Sequence, residues 1–183
     1  ILSLFGLLLV GGCGNTSTTS SYYYYPDWTP DGKIICVKKT ITSTSGGSFV
    51  FPGGEETRYY ITTMSDEGTQ ESNIKEIGGI GKVVASPLGN YIAYMEGQYL
   101  KVLTLTGEVV RAINCEISNF DFDLNNMGNK LIYNIYDYSN GINSYRMYII
   151  DVDGNNKGLI TVMASSPAWR FGNVIIISKL STM

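Results

Sequence analysis

Two acidic stretches are the first candidates for chemistry in this sequence. Asp151-Val152-Asp153-Gly154-Asn155-Asn156 and Asp121-Phe122-Asp123-Leu124-Asn125-Asn126 each set carboxylates at alternate positions, as a calcium loop does. An EF-hand loop also needs glycine at its sixth position and a bidentate glutamate at its twelfth. Here those places hold Asn156 and Val162 in one stretch, Asn126 and Ile132 in the other. Both read as turns whose Asp and Asn side chains accept from backbone amides, and no metal site is expected. The adjacent carboxylates Glu55-Glu56 and Asp66-Glu67 lie on strand-like segments, where neighbours point to opposite faces and cannot share a substrate. The chain has no histidine, which removes the commonest general base and metal ligand. A Ser–His–Asp arrangement is therefore impossible within it, and neither a G-x-S-x-G elbow nor a phosphate-cradling loop is present. The expectation is no catalytic residue, no cofactor and no enzymatic activity.

Cysteine carries more information. Cys36 and Cys115 stand 79 residues apart in apolar, strand-like contexts and read as buried free thiols, with no spacing suited to zinc. Cys13 is different. It follows an apolar run from Ile1 to Val10 of signal-peptide length, about half what a spanning helix needs. The sequence Val10-Gly11-Gly12-Cys13 resembles the lipobox of bacterial lipoproteins, with Val10 where leucine is most usual. The resemblance implies cleavage between Gly12 and Cys13 and lipid on the Cys13 thiol. More than one acyl chain is then expected to hold the mature protein at the membrane. Neither a Met nor a basic segment precedes Ile1, so truncation at the start is expected. Gly14 rather than Asp follows the cysteine, so the expected location is the cell envelope, at the outer membrane if the cell has one.

The remainder of the 183 residues is enough for one ordinary domain. Only 16% of residues are charged, and Tyr, Gly and β-branched residues are abundant, which favours strands and turns over helices. A net charge of −3 offers no basic footprint for nucleic acid.

Self-similarity then organises the chain. Trp28-Thr29-Pro30-Asp31-Gly32-Lys33-Ile34-Ile35 recurs as Ala85-Ser86-Pro87-Leu88-Gly89-Asn90-Tyr91-Ile92, again with a longer turn over Phe122–Ile132, and in worn form from Trp169 to Ile175. Glycines 32, 89, 128 and 172 fall 57, 39 and 44 residues apart, and the last two intervals suit a four-stranded blade. A second phrase, a strand ending on a glycine turn, closes at Gly68, Gly107 and Gly154. Each unit reads as a first strand ending at a large apolar residue (Trp28, Phe122, Trp169, but Ala85 in the second), a Pro/Asp/Gly turn, and three further strands. No unit can bury both its faces alone, so units must stack.

These phrases resemble the WD-like propeller repeat of TolB and of prolyl-oligopeptidase propellers, across residues 26–178. The resemblance implies an all-β fold, a β-propeller of four-stranded antiparallel blades, with three full repeats and a partial fourth. The expected organisation is a signal peptide over 1–12, lipidated Cys13 and a flexible polar tether over 13–25, and repeats over 26–79, 80–115, 116–163 and 164–183. The incomplete fourth repeat is read as truncation of a larger propeller. A non-catalytic, membrane-anchored binding module for a protein, glycan or envelope polymer is the leading expectation. The alternatives are the gating propeller of a truncated hydrolase and, less suited to a chain without histidine, an oligosaccharide lyase.

Two segments are candidates for contact. The insertion over 40–57 carries Phe49-Val50-Phe51 in a polar, Gly-rich setting, open to reading as a contact loop or as a hairpin folded onto the blade. Tyr22 to Tyr25 is expected as a strand entering the first unit. The tryptophan and glycine of PDWTPDGKIICV are read as structural.

Overall fold

The computed structural model describes residues 16–45, 53–115, 121–137, 144–162, 164–170 and 174–179. Every regular element among them is a β-strand. The first sheet contains β1 (Thr16–Trp28), β2 (Ile34–Ser45), β3 (Gly54–Met64) and β4 (Ser72–Ile77). The second contains β5 (Val83–Ala85), β6 (Tyr91–Glu96), β7 (Tyr99–Thr104) and β8 (Val109–Asn114). The third contains β9 (Phe122–Leu124), β10 (Lys130–Asp137), β11 (Ser144–Asp151) and β12 (Gly158–Val162), and β13 (Ala164–Arg170) pairs with β14 (Val174–Lys179). The chain is thus all-β: three four-stranded antiparallel sheets and one two-stranded sheet, each in chain order. The first of these sheets starts at Thr16, ten residues ahead of the repeat read from residue 26.

The same turn chemistry recurs after each first strand. The amides of Thr29, Ser86 and Asn125 donate to the carbonyls of Lys33, Tyr91 and Lys130 at 2.9, 3.0 and 3.0 Å. Thr29 Oγ1 and Asn125 Oδ1 accept in return from the amides of Lys33 and Lys130, at 3.0 and 2.9 Å. Gly32 and Gly128 close their turns at φ 78 and 71, a region that costs other residues strain. This register aligns Trp28 with Ala85 and Leu124. Leu124, not Phe122 as the sequence alignment has it, therefore occupies the tryptophan position of the third sheet; Phe122 lies two residues earlier on the same face.

Alternation along the strands distributes each sheet between two interfaces. In the first sheet Ile35, Val37, Ile61 and Ile77 face the second sheet, where Val83, Ala85, Ile92, Tyr94 and Leu103 meet them. The opposite face of the second sheet carries Val84, Ala93, Leu100, Val102 and Cys115. These pack on Phe122, Leu124, Leu131, Tyr133, Ile150 and Val152 of the third. Its far face sets Ile132 and Met147 against Trp169 and Ile175 of the last sheet. Burying each of these aliphatic side chains is worth about 1.5–3 kcal/mol, and the second and third sheets are sealed on both sides. The first strands lie next to one another in succession, β1 by β5, β5 by β9 and β9 by β13.

A carboxylate ties neighbouring first strands together. Asp27 accepts the Ala85 amide at 2.9 Å, and Asp123 accepts the Trp169 amide at 2.7 Å. The two ends of the stack share another irregularity, a register shift at Tyr25-Pro26 and at Ser166-Pro167, with φ 53 at Tyr25 and 51 at Ser166. Proline cannot donate to the ladder, and each shift occurs where the chain enters a tryptophan.

Four buried side-chain polar atoms have no hydrogen-bond partner among the described residues: Ser86 Oγ, the Tyr94 and Tyr133 hydroxyls and Trp169 Nε1. The Tyr133 ring lies 5.7 Å from that of Tyr148 with near-parallel planes, but its hydroxyl is buried without a hydrogen-bond partner among the described residues. An orphaned buried hydroxyl costs free energy that phenylalanine would avoid. Tyr133→Phe is expected to raise unfolding stability by about 1 kcal/mol. A loss of stability in urea denaturation would mean that the hydroxyl has a partner.

Candidate functional site: the strand extension and exposed aromatic face of the first sheet

The first sheet is longer than the others on one side. Thr16 to Tyr24 pairs with Val37 to Ser45, and Thr40 to Thr44 pairs with Gly54 to Arg58, well beyond the reach of β4, whose pairing starts at Tyr59. The reason is local composition, since Ser, Thr and Tyr suit a pleated surface and cross-strand hydroxyls pair. Thr19 and Thr42 Oγ1 atoms lie 3.3 Å apart, and Thr16 meets Ser45 through their hydroxyls. Residues 16–21, the polar stretch expected as part of a flexible tether, are instead strand. The flanks of the 40–57 insertion are likewise strands of an extended hairpin. This extension is mostly exposed, so pairing rather than burial holds it.

The remaining anchoring and contact residues, Gly12, Cys13, Phe49, Val50 and Phe51, lie outside the described residues. Their exits from the sheet are described, however. Thr16 lies opposite Ser45, so the chain leading back to Cys13 and the chain leading on to Phe49 leave the same end of the extension.

At the base of the extension β1 exposes Tyr22, Tyr23, Tyr25 and Trp28. The tyrosine run is a strand, as expected, with Tyr24 turned to the interface with the second sheet. Tyr23 faces the other way. Its hydroxyl donates to Glu71 Oε2 at 2.8 Å, and Lys38 Nζ pairs with Oε1 of the same carboxylate. Burial, the hydrogen bond to Glu71 and the Glu71 charge push the Tyr23 phenol up to about 12. Burial alone would raise Glu71, but the Lys38 and Tyr23 hydrogen bonds outweigh it and hold the carboxyl below its ordinary range. The three groups thus form a hydrogen-bonded unit on the sheet, able to position a neighbour.

The other candidate chemistry resolves into structure. Cys36 and Cys115 are free and buried, and burial pushes each thiol up to about 11, so neither is a thiolate nucleophile. Asp151 pairs with Lys130 at 2.6 Å and accepts from Asn156 at 2.7 Å. Asp153 accepts from the Asn155 amide at 2.9 Å, as in a turn. Asp121 accepts from Lys82 at 2.6 Å. Among the described residues no three potential ligands converge on a metal-sized site, and no helix is long and apolar enough to cross a membrane.

No protein-family model and no curated protein sequence matches this chain. What it can do rests on its own residues. Two features were not read from the sequence: the Asp27 and Asp123 ties, and the exposure of Trp28. The first had a visible signal, an aspartate immediately before the last residue of a first strand in two of four copies.

Proposed function

We propose that the chain is a non-catalytic, membrane-anchored lipoprotein of the bacterial cell envelope that recognises a protein, glycan or envelope-polymer partner on a β-propeller scaffold. The observation that carries the scaffold reading is the succession of antiparallel meanders packed face to face with their first strands adjacent. Blades arranged around an axis have that relation. The sequence Val10-Gly11-Gly12-Cys13 supports the anchor, with cleavage before Cys13 and lipid on its thiol. Recognition is assigned to Phe49, Val50 and Phe51, which follow Ser45 in the sequence. Thr16 lies opposite Ser45, so the segments that carry the anchor and the recognition residues leave the sheet from one end, and the partner is engaged near the membrane surface.

The anchor reading is tested by intact mass and membrane fractionation. The wild-type chain is expected to carry acyl mass on Cys13 and to float with membranes. Cys13→Ser is expected to lose that mass and release the protein. A Cys13→Ser protein still membrane-bound and unchanged in mass would contradict the reading.

A further inference from the structure

The extension of the first sheet is built to stand in water. Of the side chains at 16–21, 40–45 and 54–58 only Ile41 is apolar, and none is buried. Without an apolar face the extension gains nothing by folding onto the rest of the protein or by entering hydrocarbon. Its pairing is nevertheless unbroken. The ladder runs from Thr16↔Ser45 to Tyr24↔Val37, and from Ile34↔Met64 to Thr44↔Gly54, with no register shift in either span. Over 40–44 the central strand β2 is therefore hydrogen-bonded on both sides. Two paired strands alone are marginal in water, and the third supplies the further ladder. Trp28 pairs with Ile34 as Ala85 pairs with Ile92, so these isoleucines stand at one level. From there β6 ends at Glu96, the level of Lys38, whereas β2 runs on to Ser45. The six residues 40–45 add about 20 Å of strand beyond the second sheet.

We propose that this extension is a rigid stalk that holds the four sheets about 20 Å clear of the lipid surface. The inference rests on the anchor reading above. Only Gly14 and Asn15 separate Cys13 from Thr16, the first paired residue. The distance from lipid to sheets is then set by the ladder and not by a coil. Magnitudes separate the two cases, since six unpaired residues would span only about 13 Å on average and with a wide spread. The hydroxyl-bearing faces, with Glu55 and the Glu56–Arg58 pair, keep the stalk hydrated. The chain leading to Phe49 departs beside Thr16, so recognition lies at the headgroups while the sheets stay out of them.

The test is neutron reflectometry of the membrane-extracted full protein in a supported bilayer. The expected profile has a dilute protein layer about 20 Å thick between the headgroups and the dense sheets. Deleting Ser17-Thr18, Ser43-Thr44 and Gly54-Glu55 together removes two rungs and leaves every other pair, and every face, as it was. That deletion should thin the layer by about 7 Å. Hydrogen exchange reads the ladder separately, and the β2 amides over 40–44 should be protected. Dense sheets lying against the headgroups, or a layer unchanged by the deletion, would overturn the stalk. Unprotected β2 amides would do the same. A protein that fails to bind the bilayer while those amides stay protected would instead overturn the anchor reading, and the stalk's role with it.

Discussion

Gly89→Ala is expected to lower the free energy of unfolding by about 3 kcal/mol, the upper end of the cost of overpacking a filled interior. Gly89 sits in the turn between β5 and β6, buried where that turn meets the one between β9 and β10. A Cβ there would lie 2.4 Å from the Met127 carbonyl oxygen and 2.4 Å from Ser86 Oγ. The side chain could rotate away, but the carbonyl belongs to backbone held in place by the bond from the Leu88 amide to the Asn126 carbonyl, at 2.7 Å. Relief therefore requires the two turns to separate, which loosens the second sheet from the third. Gly54→Ala is the matched control, since its Cβ would meet nothing within 4 Å and its backbone is not left-handed. Urea denaturation should show a large drop for the first variant and almost none for the second. Equal effects would mean that the turn contact does not constrain the stack.

Asp27→Ala is expected to cost about 2 kcal/mol, the penalty of leaving a buried donor without its charged acceptor. The Ala85 amide loses its 2.9 Å partner, and Ala85 itself is only 4% exposed, so water cannot readily replace the carboxylate. Asp27→Asn keeps an acceptor oxygen in the same place and should recover more than half of the loss. If the two substitutions cost the same, the tie acts through charge rather than through the hydrogen bond. The second sheet provides a natural comparison, because Val84 occupies the aspartate position there and packs into the interface with the third sheet. The two solutions exchange a polar tie for apolar burial at one geometric position.

Much of the architecture was legible because turn residues and periodicity are local. The phrase Trp28–Ile35 specifies a closing turn through Gly32 and a strand whose alternate residues face opposite sides, and its copies mark the sheets with useful accuracy. The mistake at Phe122 came from ranking by size, whereas the hydrogen-bond register is set by Asn125 and the closing Lys130 amide. The strand over 16–21 departs from the expected tether for a related reason. A Ser/Thr tract is polar enough for a tether, but those residues also favour strands once a neighbour offers pairing, and the neighbour is the insertion more than a dozen residues away. Exposure of Trp28 was invisible in the sequence because the same residue type at the same repeat position packs at Trp169. Among the described residues a preceding sheet covers Trp169 and none covers Trp28. The partner's identity is less legible still, since recognition resides in loops while repetition specifies the scaffold.

The central claim, that the sheets fan outward from their first strands as blades do, is open to one direct measurement. Pulsed electron spin resonance distances would be taken between labels on exposed outer-strand residues Glu76, Val110 and Leu159, and between labels at the exposed inner turns Asp31, Leu88 and Met127. A fan predicts that separations between successive outer labels exceed those between the corresponding inner labels. Equal inner and outer separations would describe a flat stack of sheets and would contradict the propeller.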